Sequence, residues 1–464
     1  MVADGFRDSL LTPGIVTRND PPTVLSGMIN VELDPQGRLT YFQAIPSQKV
    51  PQQNEPPQNG LQKKEEQQNG ATGASVASTA PYDWNILFNA AGLDPSKLQP
   101  AQPVWNSLAD SDTRAAWTGT WPGTTRPLRA EAASFQGKPV FFSLTGSWTK
   151  PDRMKTTEKD SIGKIILHIF GLLLLCSLLL GSGLLARRNY LRGRGDREGS
   201  LCLALVMFAL EIGLFFFRSH FTTIGDFLGL SIIATATALF IGGVTWMLYM
   251  AVEPWVRRHW PQAIISWSRL LSGQGRDSLV GRDILFGVLL GVLWLLVFQI
   301  RSTPEMRMGA APYLFSTEAL MGGREALGAW LKQVPDSIQG TLIFFFVLFG
   351  LRVLLRKEWI AAIVFIAIFA LPRALPNTYM AVELPTQIIV YAIAVLIVLR
   401  FGFVSLACAI FTVDLVANIP FSADFSNWYM TTSILALLSV VALAGWGFYH
   451  SLGGEPLWQL ETDD

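Results

Sequence analysis

Few residues in this chain are of types that could do chemistry, and they lie in unusual places. His168, Glu211 and Asp414 each sit inside a long apolar run. An ionisable side chain in hydrocarbon is costly, so it is a functional candidate by default, beside the plainer reading of a polar clasp between helices, which weighs more. His168 falls six residues into the run 162–186, and Glu211 lies six residues before the end of the run 200–217. If those runs form antiparallel helices, both residues sit about 9 Å below one membrane boundary, at ~1.5 Å per residue. A His168–Glu211 hydrogen bond is therefore expected. Asp414 falls at similar depth, near the end of the run 402–418. The three define a candidate intramembrane polar site facing outward, suited to sensing protons or a polar ligand.

No catalytic constellation accompanies them. The chain lacks a Gly-rich loop before a lysine-bearing strand, an H-R-D loop, a D-F-G, a Walker A, an H-E-x-x-H and a G-x-S-x-G. Its four histidines, at 168, 220, 259 and 450, share no local metal spacing. Cys176, Cys202 and Cys408 all fall in apolar runs, which suits packing and offers no disulfide framework. No enzyme activity, metal or cofactor is expected of this chain.

The elements that must hold these residues dominate the sequence. Of 464 residues, 50% are hydrophobic and 15% charged, against about 25% charged in soluble domains. Nine apolar runs are candidates for crossing a bilayer: 162–186, 200–217, 228–252, 284–300, 338–354, 359–373, 386–400, 402–418 and 428–450. The stretch 386–418 could be one helix instead of two, giving eight spans, but Gly402 just after Arg400 favours a turn. The fold expected is a polytopic α-helical membrane protein of 8–9 transmembrane helices behind a small N-terminal α+β soluble domain. The lipid bilayer is its first partner. A net charge of +1 excludes a nucleic-acid binder that works through a broad basic surface.

Orientation comes from arginines. Arg187, Arg188, Arg192, Arg194 and Arg197 follow the first run, Arg257, Arg258, Arg269, Arg276 and Arg282 follow the third, and Arg356, Lys357 and Arg400 fall on the same side. The positive-inside rule puts these basic loops in the cytoplasm, the N-terminal domain outside and the C-terminus inside. Trp260, Ile264, Trp267 and Leu271 share one helical face beside Arg257, Arg258 and Arg269, which suits a helix lying on the cytoplasmic leaflet. Leu320, Leu327 and Leu331 recur beside Arg324 and Lys332 as a second amphipathic connector. Gly287 and Gly291 form a GxxxG that permits close helix approach and would suit a homo-oligomer.

The polar N-terminal region carries two hairpins, Gly27–Pro46 with the turn Asp34-Pro35-Gln36-Gly37, and Leu128–Trp148 with the turn Gln136-Gly137-Lys138-Pro139. Asp83 can cap a short helix Trp84–Ala91 closed by Gly92. Residues 1–46 and 81–155 make the extracytoplasmic domain, with Trp84, Trp105, Trp117 and Trp121 expected in its core. Residues 47–80 (SQKVPQQNEPPQNG and onward) are a disordered low-complexity insertion. The multi-helix region runs 160–452, and 453–464 form a short tail. No signal peptide precedes the polar region, so either the first span acts as a reverse anchor or a membrane segment upstream is missing.

Ser26–Leu39, Asp112–Gly119 (DTRAAWTG), Lys138–Phe142 and above all Glu253–Asp283 (EPWVRRHWPQAIISWSRLLSGQGRDSLVGRD) resemble the C-terminal, non-catalytic half of acidobacterial serine/threonine protein kinases. In that family a cytoplasmic kinase domain precedes a first span, an extracytoplasmic domain and a multi-helix membrane domain. The kinase domain and the span after it are missing from this sequence, so no catalytic residue carries over. The resemblance implies a non-catalytic sensor or anchor of signalling in the bacterial cytoplasmic membrane, with a cytoplasmic kinase or a second copy as partner. The alternative is a small-solute or ion transporter that uses the intramembrane acids.

Overall fold

The fold comes from a computed structural model that describes residues 22–48, 82–151, 162–220, 224–308, 310, 316–422 and 424–453. The expected insertion from residue 49 onward, and the tail beyond residue 453, lie outside the described residues. The chain divides into two compact units.

The smaller unit is a six-stranded antiparallel sheet built from β1 (Ile29–Leu33), β2 (Leu39–Ala44), β3 (Gln99–Ala101), β4 (Thr113–Thr120), β5 (Pro127–Phe135) and β6 (Lys138–Thr145), in the order β1-β2-β6-β5-β4-β3. Both expected hairpins form. Asp34 makes the first turn by accepting the Gln36 and Arg38 N–H groups, each at 2.9 Å. Gln136 and Gly137 make the second, both with positive φ (53° and 72°), the pairing that matches strand twist in a two-residue loop. Strands β3 and β4 were not expected.

Helix α1 (Asn85–Ala90) starts one residue later than expected, and the Asp83 carboxylate accepts the Asn85 N–H at 3.1 Å. It lays Leu87 and Phe88 on Leu39, Leu128, Ala130, Ala132 and Phe142. The core is thus aliphatic and phenylalanine-based. Trp84, Trp117 and Trp121 only border it, and Trp105 lies outside it, its carbonyl accepting the Arg114 guanidinium at 2.7 Å. The expected tryptophan core is corrected accordingly: Leu87, Phe88, Leu128 and Phe142 fill the space between α1 and the sheet, and the indoles sit at its margin. Buried Glu131 on β5 bonds Arg129 Nε (2.6 Å) and accepts the Val104 N–H (3.0 Å), pinning a covering segment to the sheet.

The larger unit is helical: α2 (Ile162–Leu191), α3 (Arg197–Arg218), α4 (Ile224–His259), α5 (Gln262–Leu271), α6 (Ser278–Arg307), α7 (Gly323–Leu355), α8 (Glu358–Ala374), α9 (Met380–Arg400), α10 (Phe403–Ala417) and α11 (Met430–Ser451). Among the described residues, seven helices are long and apolar enough to cross a membrane: α2, α3, α4, α6, α7, α9 and α11. Helices α8 and α10, of 17 and 15 residues, are shorter. The amphipathic stretch with Leu327 and Leu331 is no separate connector. It is the start of α7, which runs unbroken through Pro335.

Helix α9 ends at Arg400 and the chain turns at Gly402, whose φ is +93°. A Cβ there would lie 2.6 Å from Ala263 Cα, so glycine is required both by the conformation and by the approach of α5. The centre of the bundle is aromatic, with Phe345 of α7 stacked on Phe403 of α10 at 3.8 Å between centroids.

Two expectations about surfaces change. Ile264 and Trp267 of α5 are buried in the helical core, with Trp260 and Leu271 packed against it. That face is docked on the protein, not laid on lipid. Gly287 and Gly291 serve contact within the chain. A Cβ on Gly287 would sit 2.5 Å from the Ser405 carbonyl oxygen, and one on Gly291 would sit 2.8 Å from that of Ala409. The GxxxG is the seam between α6 and α10, so it no longer argues for a homo-oligomer.

Candidate functional site: buried ion networks in the helical unit

The expected trio does not assemble. His168 is exposed on α2, and no hydrogen bond joins it to Glu211 among the described residues. Helices α2 and α3 both pack on α4, which separates the two residues despite their matching depth. Glu211 of α3 and Asp414 of α10 do converge. Each lies within electrostatic reach of Lys332 and Asp336, an i,i+4 ion pair on α7 (Nζ–Oδ2 2.6 Å). Arg218 acts on Glu211, and Arg373 on Asp414. The Lys332–Asp336 pair on α7 thus acts on one acid from each of two other helices.

A tighter network stands where α6 meets α9. Arg301 Nη1 donates to both oxygens of Glu383, at 3.1 and 2.8 Å. Gln387 Nε2 donates to Glu383 Oε1 at 2.6 Å. Glu305 Oε2 lies 3.6 Å from Arg301 Nε, a charge contact too long for a hydrogen bond. The side chains of Arg301, Glu305 and Glu383 are 9%, 8% and 5% exposed, and Gln387 is 3% exposed. This set was absent from the sequence reading. Its signal was the pair of i,i+4 spacings, Arg301 to Glu305 and Glu383 to Gln387. Such a buried pair is held by geometry: removing one partner strands a charge, whereas both together are satisfied.

The opposite, arginine-rich end carries its own networks. Asp283 of α6 accepts from Ser266 of α5 and from Arg282 Nη2 (3.0 Å), while its carbonyl accepts the Ser405 hydroxyl of α10 at 2.7 Å. Buried Glu253 of α4 pairs with Arg257 (2.6 Å) and reaches the Asp196 N–H (3.3 Å), where Asp196 caps α3. Arg187, Arg188, Arg257 and Arg258 are exposed around it. In the α5–α6 loop, the Arg269 guanidinium beside Asp277 (2.6 Å) holds that carboxyl below the usual carboxylate range, aided by backbone N–H groups of α6. These contacts are suited to fixing helices at defined angles and to holding charge out of lipid.

No protein family, no curated protein and no solved structure matches the chain.

Proposed function

We propose that this chain is a non-catalytic membrane module that relays or anchors signalling, as its resemblance to the membrane half of a bacterial serine/threonine kinase implies. In this reading nine helices cross the cytoplasmic membrane (α5 is the exception), the β-sheet unit is extracytoplasmic, and the arginine-rich end faces a cytoplasmic kinase. The observation that carries it is α6, which is tied by buried charges at both ends: Arg301 to Glu383 at one, Asp283 to Ser266 of α5 at the other. A helix so anchored links whatever acts on the first network to a helix flanked by exposed arginines.

The test is a photo-cross-linking residue at Arg258 in cells, together with sequencing of the DNA upstream of the reading frame. Cross-linking to a serine/threonine kinase, or a kinase catalytic domain encoded upstream, supports the reading. The competing reading is small-solute or ion transport, favoured by Glu211 and Asp414 flanking the Lys332–Asp336 pair. Solute-dependent current in proteoliposomes would establish it and overturn the first.

A further inference from the structure

Four side chains, each at least nine-tenths buried, meet between α6 and α9: Arg301, Glu305, Glu383 and Gln387. With both carboxyl groups ionised they carry one positive and two negative charges. Glu383 is fully engaged as a carboxylate, accepting two bonds from Arg301 and one from Gln387. Glu305 is not. Its Oε1 is buried without a hydrogen-bond partner among the described residues, while its Oε2 and both Glu383 oxygens crowd the same guanidinium, at 3.6, 3.1 and 2.8 Å. Two ionised carboxylates in that position repel, and a buried uncompensated charge is costly.

Among the described residues, no other charge offsets it. The groups acting on Glu305 are Arg301 and Glu383. Helix α6 packs against α5, α9, α10 and α11. On α10, Asp414 faces Lys332, Asp336 and Arg373 instead. On α5, Arg269 is paired with Asp277 at the far end of α6, and on α11 His450 lies at the inner terminus, against Trp446 and Tyr449.

We propose that Glu305 and Glu383 hold one proton between them, making the cluster a single-proton binding site inside the helical bundle. The proton comes from bulk water, resides on Glu305 and is donated in a hydrogen bond to Glu383, so that the loaded cluster is neutral. Loading and release change the cluster by one charge without breaking a covalent bond.

The test is infrared difference spectroscopy of the full chain in lipid nanodiscs, which reads the C=O band of protonated carboxyl groups. At neutral pH in choline buffer the unsubstituted protein should show this band. Glu305→Gln and Glu383→Gln should each remove the intensity of one carboxyl per chain. Persistence of that intensity in both variants would overturn the proposal. So would its absence from the unsubstituted protein, or its loss when sodium replaces choline, since a metal ion would then supply the missing charge. The last two outcomes need no variant, and none depends on whether the protein relays a signal.

Discussion

Replacing Glu383 with Ala tests whether the α6–α9 network holds the two helices together. The substitution leaves the Arg301 guanidinium with Glu305 at 3.6 Å and removes the two bonds that Arg301 Nη1 shares between the Glu383 oxygens, at 3.1 and 2.8 Å. Breaking a buried ion pair on one side costs about 3–5 kcal/mol in water-soluble proteins. In lipid the unfolded state also finds partners for its polar groups, which lowers such values. About 3 kcal/mol, a change of roughly a hundredfold in the folded ratio, is the working figure. Unfolding in mixed micelles by increasing detergent fraction, followed by far-ultraviolet circular dichroism, measures it. Arg301→Met and Glu383→Met combined with Glu305→Gln should regain at least half of the loss, because with all three charges removed none is left stranded. If Glu383→Ala falls within about 0.5 kcal/mol of the unsubstituted protein, the range of ordinary surface changes, the network does not bind α6 to α9.

Three further outcomes follow from contacts elsewhere. Gly402→Ala places a methyl against the Ala263 backbone at a positive φ; it should cost about 2–3 kcal/mol from strain and overpacking and speed amide exchange in α5. Asp277→Asn should lower the melting temperature at pH 7. Because the folded Asp277 carboxyl is held below its ordinary range, its contribution is present above about pH 4 and vanishes as the pH falls through the folded value. The difference between the two proteins should therefore close in acid. Glu131→Ala leaves Arg129 Nε and the Val104 N–H without their acceptor, while Arg129 Nη2 keeps the Gln102 carbonyl, and should cost about 1–3 kcal/mol, with faster exchange at Val104.

Much of this architecture was legible from apolar periodicity, because a bilayer constrains helix length and charge placement together. The α6–α9 network was hidden by the same logic. Arg301, Glu305 and Glu383 lie just outside the apolar runs 284–300 and 386–400, beside Pro304 and Pro385, which break helices in water. In the bundle both helices continue through those prolines, which membrane helices tolerate better than soluble ones. His168 and Glu211 failed for another reason. Depth follows from counting residues, but rotational setting and the intervention of α4 depend on contacts between distant segments. Helix α5 shows a third limit: an apolar face reads the same whether it meets lipid or protein.

The two networks on α6 matter together only if the helix between them is stiffly seated. Its seat is the glycine seam, where a Cβ on Gly291 would meet the Ala409 carbonyl at 2.8 Å and Thr412 Cβ at 2.9 Å, leaving no flexible side chain to absorb a shift. Helix α6 has 30 residues, about 45 Å at ~1.5 Å per residue, so a disturbance at Arg301 has to travel most of that length to reach Asp283 and α5. Glu383→Gln should therefore raise amide exchange in Gln262–Leu271, far from the substitution. Gly291→Val, by prising α6 from α10, should raise that exchange on its own and abolish the added effect of Glu383→Gln. Exchange in α5 that ignores Glu383→Gln would show that the networks are independent clasps and that α6 carries nothing between them.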